Sequence, residues 1–266
     1  MMRVALGQLN MVWEDRDASL AHAEPMIRQA AEQKADVIVF PEMSFTGVSL
    51  HTDRVAEPYD TAPTVHKIQQ LAVKYGIAIA FGWAAAPEQE GQLAANLFTF
   101  IDTEGKRLGE YTKIHPFTYG GEADHYAKGD HLVSIPFQGR KIGLLICYDL
   151  RFPELFQAAS EQNDILFVIA NWPSIRRDHW QTLLRARAME TQSYVVGVNC
   201  YGEHDGSYYS GDSMAVDAIG NRLGILSDRE GILICDLEDR AWSLRQKFAI
   251  REDRREDLYF HLYRQK

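Results

Sequence analysis

Residues 139–154 read GRKIGLLICYDLRFPE. An apolar run, KIGLLI, ends on Cys147, and the residues after it are mostly polar, charged or aromatic. Near-continuous apolar runs of this length suggest strands covered on both faces. The segment after the turn, Pro153 to Ser160, has helical character. Cys147 therefore stands at the carboxyl end of a strand, where open α/β sheets gather their ligands.

Similar runs recur along the chain. They are VALGQL (4–9), DVIVF (36–40), IAIAFGW (77–83), NLFTFI (96–101), DILFVIA (164–170) and YVVGVNC (194–200). Helical segments lie between several of them. Asp17 to Lys34 carries an N-terminal Asp and several Ala, with Pro25 as a late start or a kink. Thr64 to Tyr75 is stopped by Gly76. Asp178 to Gln192 is another. Residues 209–237, YSGDSMAVDAIGNRLGILSDREGILICDL, change style and read as strands joined by turns, with Gly220-Asn221 at one tip. No linker, low-complexity tract or strong internal repeat interrupts the 266 residues, so one α/β domain over 1–266 is expected. Pattern alone leaves open whether it holds one sheet or two.

Composition narrows the function. The chain is 46% hydrophobic and 24% charged, as ordinary soluble proteins are. Lys plus Arg number 28 against 37 Asp plus Glu, a net charge of −9, which argues against general nucleic-acid binding. No apolar run is long enough to span a bilayer. The opening MMRVALGQLN lacks a signal-peptide shape, so a cytoplasmic enzyme is expected. The three cysteines, Cys147, Cys200 and Cys235, are widely spaced and form no CxxC pair, against a disulfide scaffold or structural zinc. Cys200 and Cys235 read as buried strand cysteines.

Three reactive residues directly follow strand-like runs: Glu42 after DVIVFP, Lys113 after KRLGEYT and Cys147 after KIGLLI. Each alone is weak, because an edge Glu or Lys is usually a solvated charge and such a Cys is usually core. Together they supply a base, an electrostatic stabiliser and a nucleophile. A glutamate can take the thiol proton as sulfur attacks and return it to a leaving amine. An ammonium and the backbone N–H of Tyr148 can face the developing oxyanion. That describes acyl transfer through a thioester. A phosphatase loop needs an Arg six residues after its Cys, and Pro153 stands there instead. A Cys–His pair remains open, since there are nine His, including His115 and His179. No GxSxG, GxGxxG, P-loop or HExxH motif occurs, and no cofactor or metal is expected.

The blocks FPEMSFTG (40–47), YTKIHPF (111–117) and LLICYDLRFPE (144–154), in that order, resemble the three signature blocks of the nitrilase, or carbon–nitrogen hydrolase, superfamily. The resemblance runs from VALGQLN to RREDLY. YDLRFPE, ANWP, HWQTLLRARAMETQSYVVGVN and GDSMAVDAIGN further resemble its omega-amidase-like branch. The resemblance implies a four-layer α-β-β-α sandwich of two stacked mixed sheets. It implies Glu42 as general base, Lys113 as stabiliser of the tetrahedral intermediate and Cys147 as nucleophile. It implies a second glutamate after the lysine, matched by Glu122, with Asp124 as rival. It also implies a homodimer or higher assembly, with the tail from about 241 to 266 contributing; the alternative for that tail is a solvated charged end.

Supporting residues carry two readings each. Asp149 and Arg151 are read as bracing the nucleophile turn, the alternative being that Arg151 touches substrate. Phe117 and Trp172 are candidates to line an acyl pocket, against simple packing. Arg176 and Arg177 are usually surface decoration in such a loop. A dicarboxylic acid monoamide, however, has a free carboxylate that the fork of one of these two arginines would hold. The expected activity is hydrolysis of such an amide, of the 2-oxoglutaramate or succinamate type. Nitriles, N-carbamoyl amines or other amides are alternatives on the same machinery, and a non-catalytic interaction protein is an alternative of another class.

Overall fold

The computed structural model describes residues 1–89, 91–238 and 241–265. In chain order its strands are β1 (Met2–Gln8), β2 (Val37–Val39), β3 (Ala78–Ala85), β4 (Ala95–Ile101), β5 (Arg107–Thr112), β6 (Ser134–Phe137), β7 (Arg140–Ile146), β8 (Ile165–Ala170), β9 (Tyr194–Asn199), β10 (Tyr201–His204), β11 (Ser207–Val216), β12 (Arg222–Ser227) and β13 (Gly231–Leu237). The helices are α1 (Arg16–Glu32), α2 (Thr52–Val55), α3 (Pro63–Tyr75), α4 (Pro153–Ser160), α5 (Arg177–Thr191), α6 (Ala241–Lys247) and α7 (Glu256–Tyr263).

Two sheets stack face to face. One runs β13-β1-β2-β3-β4-β5; the other runs β10-β11-β9-β8-β7-β6, with β12 added on β11. Their centres are built alike. β1, β2 and β3 are parallel, as are β7, β8 and β9, and antiparallel strands flank each trio. Helices form the crossovers that parallel pairing requires. The question that strand pattern left open is thus settled as two mixed sheets, in the four-layer arrangement.

Alternation explains why the strands read as unbroken apolar runs. Val4 and Leu6, Val37 and Val39, and Ala78 and Ala80 point into the core between the sheets, with Leu144, Ile146 and Phe167 from the other side. Their neighbours Ala5, Ile38, Ile79 and Phe81 face outward against Ala23, Ile27, Ile68 and Leu71 of α1 and α3. A strand with apolar cover on both faces has no polar positions to alternate. Helix ends follow local chemistry. The Asp15 carboxylate accepts the Ala18 N–H at 3.0 Å to cap α1. α1 runs through Pro25, which is therefore no late start. Pro63 opens α3, and Gly76 closes it in the left-handed region at φ +63°.

Candidate active site

Glu42 sits in a tight turn just past β2. The Ser44 hydroxyl donates to the Pro41 carbonyl at 2.5 Å and accepts the Gly82 N–H at 3.0 Å. The turn lies so close to β3 that a Cβ at Gly82 would meet the Met43 nitrogen at 2.4 Å and the Glu42 Cα at 2.9 Å. Only glycine permits that approach.

Lys113 follows β5, and Glu122 lies in a short 3₁₀ turn beyond it. All three side chains are buried, Glu42 and Lys113 to 1% exposure and Glu122 to 2%. Lys113 Nζ donates to Glu42 Oε1 at 2.7 Å and to both Glu122 oxygens at 2.9 and 2.7 Å. Asn96 on β4 ties the carboxylates together, its Nδ2 donating to Glu42 Oε1 at 2.8 Å and Glu122 Oε1 at 2.9 Å. The Asn171 N–H donates to Glu42 Oε2 at 2.9 Å, and the Phe117 N–H to Glu122 Oε2 at 2.7 Å. Burial alone would lower the Lys113 pKa, but Glu42 and Glu122 outweigh it and hold the ammonium above its ordinary range. Glu122, rather than its rival Asp124, meets the lysine.

Cys147 opens a 3₁₀ turn running to Arg151, immediately ahead of α4. Its φ is +46°, a left-handed conformation uncommon for a non-glycine residue. Asp149 holds the turn closed. Its Oδ2 accepts the Ile146 N–H at 3.0 Å and the Tyr111 hydroxyl at 2.8 Å, and its Oδ1 accepts the His115 N–H at 3.0 Å. The Sγ lies 3.9 Å from the Asn171 carbonyl oxygen. Burial pushes the thiol well above its usual pKa, Glu42 adds to this, and Lys113 pulls the other way. The resting sulfur is a protonated thiol with a carboxylate and an ammonium beside it.

Glu42, Lys113, Glu122, Cys147 and Tyr148 share the wall of one cavity of about 260 Å³. Phe117, Trp172, Arg151 and Arg176 line it as well. Trp172 is anchored by Nε1 on the Arg176 carbonyl at 2.8 Å. The Arg151 guanidinium lies 4.7 Å over the Trp172 ring and 3.3 Å from His179 Nδ1; Arg176 lies 5.7 Å over Phe117. Among the described residues neither has a carboxylate partner.

One expectation is corrected here, and a choice left open between two arginines is resolved. Asp149 braces the turn as expected, but Arg151 does not; stacked on Trp172, it faces the cavity. Arg177 stands outside the wall, because buried Asp212 takes it: Nη2 donates to Asp212 Oδ1 at 2.6 Å. Sequence reasoning does not single out Asn96 or the Tyr111–Asp149–His115 cluster. An Asn inside the run NLFTFI is the one available signal, since a polar side chain in a doubly covered strand must find buried partners. Among the described residues no cluster of His, Cys, Asp and Glu is arranged to hold a metal ion, and no helix is long and apolar enough to cross a membrane.

A two-sheet sandwich with thiol, carboxylates and ammonium in one pocket defines a hydrolase-like architecture, and comparison gives it a family. The family model described as Carbon-nitrogen hydrolase matches residues 3–246. The chain belongs to that family. It is similar to Omega-amidase YafV of Yersinia enterocolitica, 36% identical over 220 residues, 82% of this chain and 82% of that protein. It is also similar to 2-oxoglutaramate amidase of Bacillus subtilis (strain 168), 32% identical over 256 residues, 95% and 97% of the two chains. Among solved structures, a CN-hydrolase superfamily protein from Xanthomonas campestris, with an arsenic adduct in its active site, superposes with a TM-score of 0.87 at 28% identity, covering 95% of this chain and 97% of that one. A mutant amidase from Nesterenkonia sp. AN1, its active site cysteine carrying the acetamide moiety of fluoroacetamide, gives 0.87 at 25% identity over 98% and 96%. The resemblance read from the three sequence blocks, and the fold it implied, are borne out.

Proposed function

We propose that this carbon–nitrogen hydrolase is an amidase of the omega-amidase type. It hydrolyses the terminal amide of a small dicarboxylic acid monoamide, such as 2-oxoglutaramate or succinamate, to acid and ammonia. The observation that carries the reading is the pair of arginines without carboxylate partners, Arg151 and Arg176, in the wall of the cavity that holds Cys147. In a chain of net charge −9, two such cations in the wall that holds the half-buried Cys147 support an anionic substrate. The names of the relatives from Yersinia enterocolitica and Bacillus subtilis support the same substrate class.

In this reading Cys147 Sγ attacks the amide carbon while its proton passes to Glu42. The raised thiol pKa makes that transfer part of the attack, since little thiolate stands ready at neutral pH. The oxyanion faces Lys113 Nζ and the Tyr148 N–H, and the two carboxylates keep Lys113 charged for that task. Glu122 fixes the lysine. The carbon–nitrogen bond breaks as Glu42 returns its proton to nitrogen, and ammonia leaves a thioester. Water then gives a proton to Glu42 and attacks the thioester carbon, the acid departs, and Glu42 reprotonates sulfur. The scheme uses these side chains and water alone. Phe117 and Trp172 wall the acyl chain, and Arg176 with Arg151, rather than Arg177, holds the distal carboxylate.

We further propose one domain over the whole chain, a cytoplasmic setting and a homodimer built partly by the tail. The support for the dimer is α7, which exposes Leu258, Tyr259, Phe260, Leu262 and Tyr263. The deciding experiment is ammonia release from succinamate and 2-oxoglutaramate by wild type and Cys147→Ala. Release by wild type alone is expected. Release by neither, with turnover of nitriles or N-carbamoyl amines instead, would overturn the substrate class; equal release by both would overturn the mechanism.

A further inference from the structure

One aromatic residue of the cavity wall is not used by this mechanism. Tyr209, on β11, lines the same wall as Cys147, Glu42 and Asp205. Its ring is set by the hairpin. Tyr209 pairs across the strands with Gly202, and its ring packs 5.6 Å from that of His204. His204 is itself pinned, its Nε2 donating to the Tyr201 carbonyl at 2.8 Å. The phenol is thus presented by a fixed frame.

Its hydroxyl differs from those of the fully buried rings. The buried phenols around the site are satisfied: Tyr111 donates to Asp149 at 2.8 Å and Tyr126 to the Ser49 carbonyl at 2.6 Å. The buried indoles of Trp83, Trp172 and Trp180 also have partners. Among the described residues, no hydrogen-bond partner meets the Tyr209 hydroxyl. Burial pushes its pKa upward, with Cys200, Cys147 and Glu42 adding to the effect, so it stays a neutral O–H donor. Tyr209 is half-buried and its hydroxyl is not sealed from water, so a ligand in the cavity can take that water's place. The donor thus lies open in the wall that also holds Cys147.

We propose that Tyr209 is a further substrate-contacting residue, its hydroxyl hydrogen-bonding the substrate beside the scissile amide. The proposal deepens the amidase reading and rests on the same cavity. Its test is Tyr209→Phe, which removes one oxygen and breaks no protein hydrogen bond. Expected are a kcat/KM lower by about tenfold to a hundredfold on every amide the wild type hydrolyses, and an unchanged melting temperature. A second measurement needs no turnover: the rate of Cys147 alkylation by 2-iodoacetamide, which carries a primary amide, against methyl methanethiosulfonate, which does not. Tyr209→Phe should slow the first reagent selectively. Wild-type kinetics with both substrate and reagent would overturn the proposal. So would an equal slowing of both reagents with a lowered melting temperature, which marks a packing role. If wild type releases ammonia from no anionic amide, the substrate class falls, yet the ratio of the two alkylation rates still decides the role of Tyr209.

Discussion

The floor and the mouth of the cavity handle charge in opposite ways. On the floor Lys113 is enclosed by Glu42 and Glu122, and Asn96 clamps the two carboxylates together. At the mouth Arg151 and Arg176 lie over aromatic rings, and among the described residues no carboxylate pairs with them. Buried charges persist only when paired, because their desolvation is expensive. Partly hydrated cations can wait for a ligand. On the proposed function the floor is a fixed device in which stability and chemistry are joined, and the mouth a selector in which they are separate.

Removing the cation from the floor should have the largest effect. Lys113→Met leaves Glu42 and Glu122 facing each other out of water. Breaking a buried pair in this way costs about 3–5 kcal/mol, and loss of the oxyanion charge should lower kcat on the order of a thousandfold or more. Urea unfolding and ammonia release measure the two together. A Lys113→Met protein of wild-type stability would break the idea that floor charges are structurally coupled.

The mouth should behave in the reverse sense, and the neighbouring pair Arg176 and Arg177 sharpens the point. Arg176→Ala and Arg151→Ala should each raise KM for an anionic amide about tenfold to a hundredfold. KM for a neutral amide should hardly move, and stability should stay within about 0.5 kcal/mol. Arg177→Ala should leave KM alone. It deprives buried Asp212 of its cation, leaving the Ser210 and Ser227 hydroxyls, so stability should fall by about 1–2 kcal/mol, moderated because Arg177 is itself partly screened by solvent. Steady-state kinetics on paired anionic and neutral amides, with thermal melts, separate the two patterns.

These adjacent arginines also mark how far sequence reading reaches. Glu42, Lys113 and Cys147 are legible as a meeting of reactive groups because each follows an apolar or strand-like run, and strand ends of one fold converge. Glu122 comes from the resemblance, since a residue in a 3₁₀ turn has no periodicity to locate it. Arg176 and Arg177 are indistinguishable by pattern. Their fates are set by Asp212, which arrives from β11 and takes only Arg177. Arg151 misleads for a related reason. Asp149, two residues before it, looks like its partner, but Asp149 spends its oxygens on Ile146, Tyr111 and His115. Asn96 is hidden inside a strand whose burial on both faces can be inferred, while the identity of its buried partners cannot. Tertiary pairing decides such cases, and local sequence does not encode it.

The smallest expected effect separates floor from mouth by pH. Burial raises the Cys147 and Cys200 thiols well above their usual range in the folded chain. The unfolded thiol ionises near about 8.5, so the fold holds protons there that the unfolded chain releases. Stability from this source is fully present below that pH and is lost as pH rises toward the raised folded values. Each such thiol adds a slope of up to about 1.4 kcal/mol per pH unit. Cys147→Ala should therefore flatten the fall in unfolding free energy above pH about 9, with the Cys200 contribution remaining. Arg176→Ala, which removes a group charged throughout, should keep the wild-type slope. Urea titrations across the alkaline range measure both. An unchanged slope in Cys147→Ala would mean that water reaches the sulfur freely, and the distinction between a dry, coupled floor and a wet, independent mouth would fail at its central residue.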